Sequence, residues 1–286
     1  MSRRIYKTRK QRIRALIIVL GLLVSIMFSF IFSTITGKFS IAVFIISFFS
    51  CIIAFSILFL IFSLPSVRGK MGESRVSKRL SKLANKYGGS VIDDVIIPGE
   101  NDKTSQIDHI YICNYGLFVV ETKNYSGRIY GNDKQREWTQ VLAYGNTKNK
   151  IYNPVMQNQT HIYRLLQLLK VKINAVSVVV FVRGNTDYIE SNYVYDLHDL
   201  KHLLDDTTQC VDDATVEKVV NTITEYKLNP TKSNKEHVQE IKQMQKDLKQ
   251  NICPRCGGSL VLRHSRTGSM FYGCSNYPKC KFIKKQ

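Results

Sequence analysis

Acidic residues are missing from both ends of this chain: none occurs in residues 1–72 or 251–286, which carry ten and seven Lys/Arg. Proline is scarce, at six in 286 residues, and 44% of the chain is hydrophobic, which excludes collagen-like and disordered classes. Seven cysteines over this length are too few for a disulfide-stapled miniprotein. Internal repeats and a Gly-rich phosphate loop are also lacking. What remains is a formal net charge of +19 held by the two ends, because residues 73–250 balance 24 basic against 22 acidic side chains. A near-neutral body between two basic ends points to anionic partners, with lipid and nucleic acid as the candidates.

Residues 15–36 and 41–64 are apolar runs without a single charged residue, separated by a turn containing Lys38. A helix needs roughly 20 apolar residues to cross about 30 Å of hydrocarbon, so each run is long enough to span. The first run exceeds the roughly 7–15 residues of a signal-peptide core, and a second run follows at once. The expectation is a transmembrane helical hairpin after a basic segment, 1–14. Seven basic residues precede the first run and Arg68, Lys70, Arg75, Lys78 and Arg79 follow the second. The positive-inside bias therefore predicts a cell-membrane protein with both termini in the cytoplasm.

In residues 251–286, Cys253 and Cys256 form a CxxC, and Cys274 and Cys280 follow after spacers of seventeen and five residues. Four thiolates in two short-spaced pairs suit a closed tetrahedral zinc site in a module too small for a core of its own. Residues 257–263 and 268–280 read as strands and tight turns of a ribbon. The CPxCG start, the FYGCSNYPxC end and the Arg-rich middle resemble the four-cysteine zinc ribbon of bacterial type IA DNA topoisomerases. That resemblance implies single-stranded DNA binding. Arg255, Arg263, Arg266, Lys279 and Lys281 offer charge for phosphates, and Phe271, Tyr272, Tyr277 and Phe282 offer stacking faces. The alternative is that the aromatics only fill a miniature core.

Between the ends, Val76, Leu80 and Leu83 have helical spacing before Gly88-Gly89, and strands are expected over 91–97, 106–113 and 117–123. A polar stretch then leads to a helix at 154–169 and an apolar strand at 175–182. Helical spacing recurs over 192–204 and 214–226, and 229–250 reads as a linker with one helix. The order describes an α/β domain over 70–228. Glu121 and Lys123 share one face of a strand, Asp108 stands on the strand before it, and Glu73 lies near the start of the first helix. Carboxylates that hold a hard cation beside a lysine are what a metal-dependent phosphodiesterase needs. Taken alone, a Glu-x-Lys pair on a strand is frequent, and its plain reading is an exposed ion pair of little consequence.

Several ordered blocks go further: Gly72-Glu73, Gln106-Ile107-Asp108-His109, the run from Gly116 to Gly127 containing Glu121-Thr122-Lys123, Trp138-Thr139-Gln140 and Asn153-Pro154-Val155-Met156-Gln157. Together they resemble the nuclease-related domain family, NERD, which looks like a branch of the PD-(D/E)xK nuclease superfamily. The resemblance implies a mixed sheet flanked by helices. It makes Asp108 and Glu121 carboxylates for Mg²⁺ or Mn²⁺, Lys123 the catalytic lysine, Glu73 the first-helix acid and Gln157 a helix residue facing the same cleft. His109, on the other side of its strand from Asp108, is expected to pack. Trp138 and Tyr125 either wall the cleft or pack.

Two readings of function stay open on these grounds. The first is a membrane-anchored nuclease whose ribbon brings in DNA more readily than RNA. The second is a tether that holds nucleic acid without cutting it. Binding of protein partners by both modules is a third, weaker reading. Acids kept at positions where unpaired burial is costly argue for the first.

Overall fold

The computed structural model describes residues 23–37, 41–99, 104–205, 207–230, 234–265, 268 and 270–285. Two apolar helices come first, α1 (Leu23–Thr36) and α2 (Ile41–Ser63). The expected first span begins at residue 15, so its opening residues lie outside the described ones. Residues Ile41–Phe62 form the one described helix long and apolar enough to cross a membrane. Ile45, Phe49, Ile53 and Leu60 stand exposed around α2. Only Leu64 separates it from α3 (Pro65–Tyr87), whose first residue is a proline, well suited to a helix start because its missing N–H has no intrahelical partner there.

The chain then runs through β1 (Ser90–Pro98), β2 (Thr104–Cys113), β3 (Gly116–Lys123), β4 (Arg128–Asn132), β5 (Glu137–Leu142), β6 (Thr147–Tyr152), α4 (Pro154–Leu169) and β7 (Ala175–Phe181). It continues with β8 (Ile189–Glu190), β9 (Val194–Asp196), α5 (Asp213–Leu228), α6 (Asn234–Lys249), β10 (Leu260–His264), β11 (Met270–Cys274) and β12 (Ile283–Lys285). The strands make a five-stranded sheet of order β1-β2-β3-β7-β9, a four-stranded sheet of order β6-β5-β4-β8 and a three-stranded sheet β10-β11-β12. Mixed sheets with flanking helices agree with the α/β expectation.

The expected helix over Val76, Leu80 and Leu83 is present and buries those three residues. It stops at Gly88, which takes φ 80° and donates its N–H to Ala84 O at 2.9 Å, the left-handed stop that glycine permits. Two expectations need correction. Residues 192–204 are not helical: they form β9 and a single 3₁₀ turn at Asp199–His202, because Val194 and its neighbours pair with β7 in parallel, an edge that local spacing does not reveal. The polar stretch before α4 is the antiparallel ribbon β4-β5-β6 rather than a connection.

Compactness divides the chain into two units, one of Met1–Leu80, Thr122–Met156 and Val179–Leu203, the other of Ser81–Glu121, Gln157–Val178 and Leu204–Gln286. In the first, Ile129, Trp138, Val155, Val179 and Phe181 form a core, with Trp138 fully buried. The sole tryptophan therefore packs there. In the second, one face of β1, β2 and β3 meets Leu165 and Leu169 of α4 and Val219 and Ile223 of α5. Burial of each such side chain contributes roughly 1.5–3 kcal/mol.

Candidate active site and metal centre

The β2–β3 hairpin sets the candidate acids. Its register pairs His109 with Val120, so Asp108 and Glu121 are each one step beyond that pair, at the same end of the hairpin. Glu121 is only 3% exposed, which removes the reading of an exposed Glu-x-Lys ion pair. Helix α4 supplies its partners. The Asn158 amide donates to Val119 O at 2.8 Å and to Ser177 Oγ at 2.9 Å, which ties the first turns of α4 to β3. One position earlier, Gln157 Nε2 donates to Glu121 Oε1 at 2.8 Å. The sequence-predicted Glu121 and Gln157 are thus in direct contact.

Two further residues join them that the sequence reading missed. His161, one helical turn after Gln157, places Nε2 3.5 Å from Glu121 Oε2, and its Nδ1 lies 2.7 Å from Ser105 Oγ. The Ser105 hydroxyl and Nδ1 share one hydrogen bond whose direction follows the ring tautomer, and Gln157 Nε2 lies 3.4 Å from Nε2. Ser105 and His161 are both buried, at 3% and 8% exposure. The i, i+4 spacing from Gln157 to His161 was the available signal. His109 is buried and hydrogen bonded to Asp93 at 2.7 Å, a packing position as expected. Gln106 donates to Asp94 at 2.5 Å, and Asp108 is half-buried.

In the other unit, Asn124 fixes the end of β3 to α3. Its amide donates to Arg68 O, and a Cβ added to Gly72 would lie 3.0 Å from Asn124 Cβ. Only hydrogen fits comfortably at Gly72. Glu73 and Lys123 are the residues adjoining that pair in sequence, and both are half-buried. Lys123 follows Glu121 by two residues on β3, and its carbonyl accepts from Val182 N at 2.9 Å. Trp138 packs in the core.

At the C-terminal end the four thiols Cys253, Cys256, Cys274 and Cys280 bring their sulfurs within 4.8 Å of one another. Cys253 and Cys280 are 3.7 Å apart and Cys256 and Cys274 are 3.3 Å apart. Zn–S bonds of ~2.3 Å in a tetrahedron put sulfurs about 3.8 Å apart, so the donor set fits zinc. The first knuckle is held by Cys253 N to Gly258 O at 2.6 Å and by Gly257 N to Cys253 O at 2.9 Å, with Gly257 at φ 73°. A backbone N–H from Gly258 holds the Cys256 thiol down to about 6, whereas burial pushes Cys274 up to about 12. His264 stays outside the cluster, as expected.

The ribbon's proposed DNA residues divide by exposure. Arg255, Tyr277, Lys279 and Lys281 are exposed, and Arg263 crosses Tyr277 at 5.8 Å from the ring centroid while donating to Cys274 O at 3.2 Å. Phe271 is half-buried. Tyr272 and Phe282 pack against the cysteine cluster, together with Leu248 of α6, so part of their surface serves the small core. Arg266 lies outside the described residues.

The chain thus carries a strand hairpin with two acids, one of them bound by a helix glutamine, and a four-sulfur cluster whose donors fit zinc. A family model for the nuclease-related domain matches residues 68–182, and one for the topoisomerase DNA-binding C4 zinc finger matches residues 250–286. The "Uncharacterized protein pXO1-01" of Bacillus anthracis is 34% identical over 185 residues, covering 62% of this chain and 85% of that protein. This chain belongs to the nuclease-related domain family. Its ribbon is similar to DNA topoisomerase 1 of Helicobacter pylori strain J99, 61% identical over 33 residues, and of Archaeoglobus fulgidus, 43% identical over 51 residues. The chain spans only 4% and 8% of the length of those two topoisomerases. No solved structure matches.

Proposed function

We propose that the chain is a membrane-anchored nuclease of the PD-(D/E)xK type that hydrolyses DNA phosphodiesters. The observation that carries this reading is the buried Glu121 carboxylate, held by the Gln157 amide at 2.8 Å at the hairpin end it shares with Asp108. Burying a carboxylate is costly unless it is hydrogen bonded, and a purely structural role asks for no such residue at a hairpin end. Two hard oxygen donors at one end suit Mg²⁺ or Mn²⁺, which Asp108 and Glu121 would hold. A bound divalent ion supplies activation of water and neutralisation of phosphate charge. Gln157 orients the Glu121 carboxylate, Lys123 offers a cation to the developing phosphate charge, and Glu73 adds an acid beside that lysine.

The ribbon would hold single-stranded DNA through Arg255, Arg263, Tyr277, Lys279 and Lys281, raising substrate concentration at the acids. The anchor is supported by α2, apolar all round and exposed. It is supported too by α1, which exposes Ile26, Met27 and Phe30 while burying Ser25 and Ser29. Small polar residues inside and apolar residues outside is the pattern of helices that pack within lipid. Two spans with both termini cytoplasmic follow from the basic flanks.

The alternative is a tether that binds nucleic acid without turnover. It draws on one observation: among the described residues the cysteine quartet is the one group of three or more metal-ligating side chains brought together. The test uses the full chain in detergent with labelled single- and double-stranded DNA and Mg²⁺ or Mn²⁺. Cleavage lost in Glu121→Ala and in Lys123→Ala supports the nuclease. Salt-sensitive DNA retention without cleavage by the unaltered protein selects the tether.

A further inference from the structure

The ribbon β4-β5-β6 has two faces of opposite chemistry. Trp138 and Gln140 of β5 share one face with their β6 partners Ile151 and Asn149, and that face is turned to the core by the full burial of Trp138. Alternation sends Arg128, Tyr130, Thr139, Lys148, Lys150 and Tyr152 to the other. The register lines them up: Arg128 pairs with Val141 and Val141 with Lys148, while Tyr130 pairs with Thr139 and Thr139 with Lys150. Arg128, Lys148 and Lys150 are exposed, and Lys150 donates to Thr139 Oγ1 at 3.0 Å. Tyr188, just before β8, stacks on Tyr130 with ring centroids 4.6 Å apart and planes at 26°. Tyr152 and Tyr188 are 50% and 45% exposed.

We infer that this outer face is a second nucleic-acid surface, taking a single strand with its phosphates on Arg128, Lys148 and Lys150 and its bases against Tyr130, Tyr188 and Tyr152. Cations and flat aromatic faces interleaved on one open sheet are what an unpaired strand uses, since phosphates need charge and every base offers a π-face. Charge distribution separates a strand from a lipid surface. Glu137 pairs with Tyr152 and Glu190 with Asn132, so two carboxylates occupy one end of the same face and the cations the rest. A planar anionic bilayer would meet both ends at once, whereas a strand can follow the cationic rows. Nothing in this surface depends on phosphodiester cleavage, so it serves a nuclease and a tether alike.

The test uses the full chain in detergent with an oligothymidylate carrying 5-iodouracil, cross-linked by light and mapped by mass spectrometry. Anisotropy titrations over a range of salt accompany it. Adducts on Tyr130, Tyr152 or Tyr188 are expected beside any on the zinc ribbon. The double variant Lys148→Glu/Lys150→Glu should flatten the salt slope by about 1.4, at ~0.7 per lost single-strand phosphate contact. Tyr188→Ala should weaken binding about tenfold, the value of one stacked base. Adducts confined to residues 250–286 would overturn the inference, and that result needs no variant to fold. So would wild-type affinity and slope in both variants. Loss of phosphatidylserine-vesicle attachment in the double variant with unchanged oligonucleotide binding would assign the face to lipid instead.

Discussion

Gln157 donates its amide to Glu121 Oε1 at 2.8 Å, so a helix residue and a strand residue 36 positions apart share one buried polar contact. Stability and function pull in opposite directions at such a pair. Removing the amide should cost about 1.5–3 kcal/mol, because a buried charged acceptor loses a donor. Urea denaturation of Gln157→Ala measures that loss. Glu121→Gln should abolish metal-dependent cleavage while leaving stability unchanged or higher, since it removes the buried charge and keeps the shape.

His161 reaches the same carboxylate from the next turn, supported by Ser105 at 2.7 Å. Ser105→Ala should leave the protein folded, with a loss of about 1 kcal/mol for the missing hydrogen bond. The imidazole should then populate both tautomers, which ¹⁵N shifts of the His161 ring would register. An unchanged single tautomer would show that Ser105 does not set it.

His237 of α6 is buried against Thr104, its Nδ1 2.6 Å from the hydroxyl. Burial lowers its pKa below 6.5, although Glu240 and Asp94 pull it the other way. The unfolded ring takes up a proton near 6.5 while the folded ring waits for lower pH, so the unfolded state binds more protons in that interval. Stability therefore rises with pH through that interval and falls on acidification. Amide protection of α6 should be full at about pH 7.5 and decline below about 6.5, the ordinary histidine value. His237→Gln should remove this pH dependence.

Gly131 lies under Trp138, and a Cβ added there would approach the ring to 2.3 Å. Gly131→Ala should displace the tryptophan and destabilise the fold by about 1–3 kcal/mol, as overpacking does. The chain has one tryptophan, so its emission reports this site alone and should shift to the red.

The ribbon should hold one zinc per chain, released by chelator with loss of its ordered backbone, because so small a module lacks a core without metal. Cobalt substitution should give the visible absorption of a tetrahedral four-sulfur site. Any single Cys→Ala among Cys253, Cys256, Cys274 and Cys280 should abolish it.

How much of this was legible in the sequence depended on whether a segment carries its own pattern. The apolar strands β2, β3 and β7 and the helix Pro154–Leu169 declare themselves by runs and periodicity, and the four cysteines by spacing alone. Strand β6, Thr-Lys-Asn-Lys-Ile-Tyr, does not, because one face is open to solvent and the other carries Thr147 and Asn149, so no apolar alternation exists to read. Residues Val194–Asp196 become a strand only because β7 offers an edge. Glu121, Lys123 and Gln157 are found through the ordered blocks around them; Ser105, a serine on a strand, carries no signal of its own, and the i, i+4 spacing of His161 from Gln157 gains meaning only once the fold places that helix face beside Glu121.

A single residue, Leu64, lies between α2 and α3. If α2 crosses a bilayer, so brief a hinge starts α3 at the edge of the lipid and leaves no slack between the two helices.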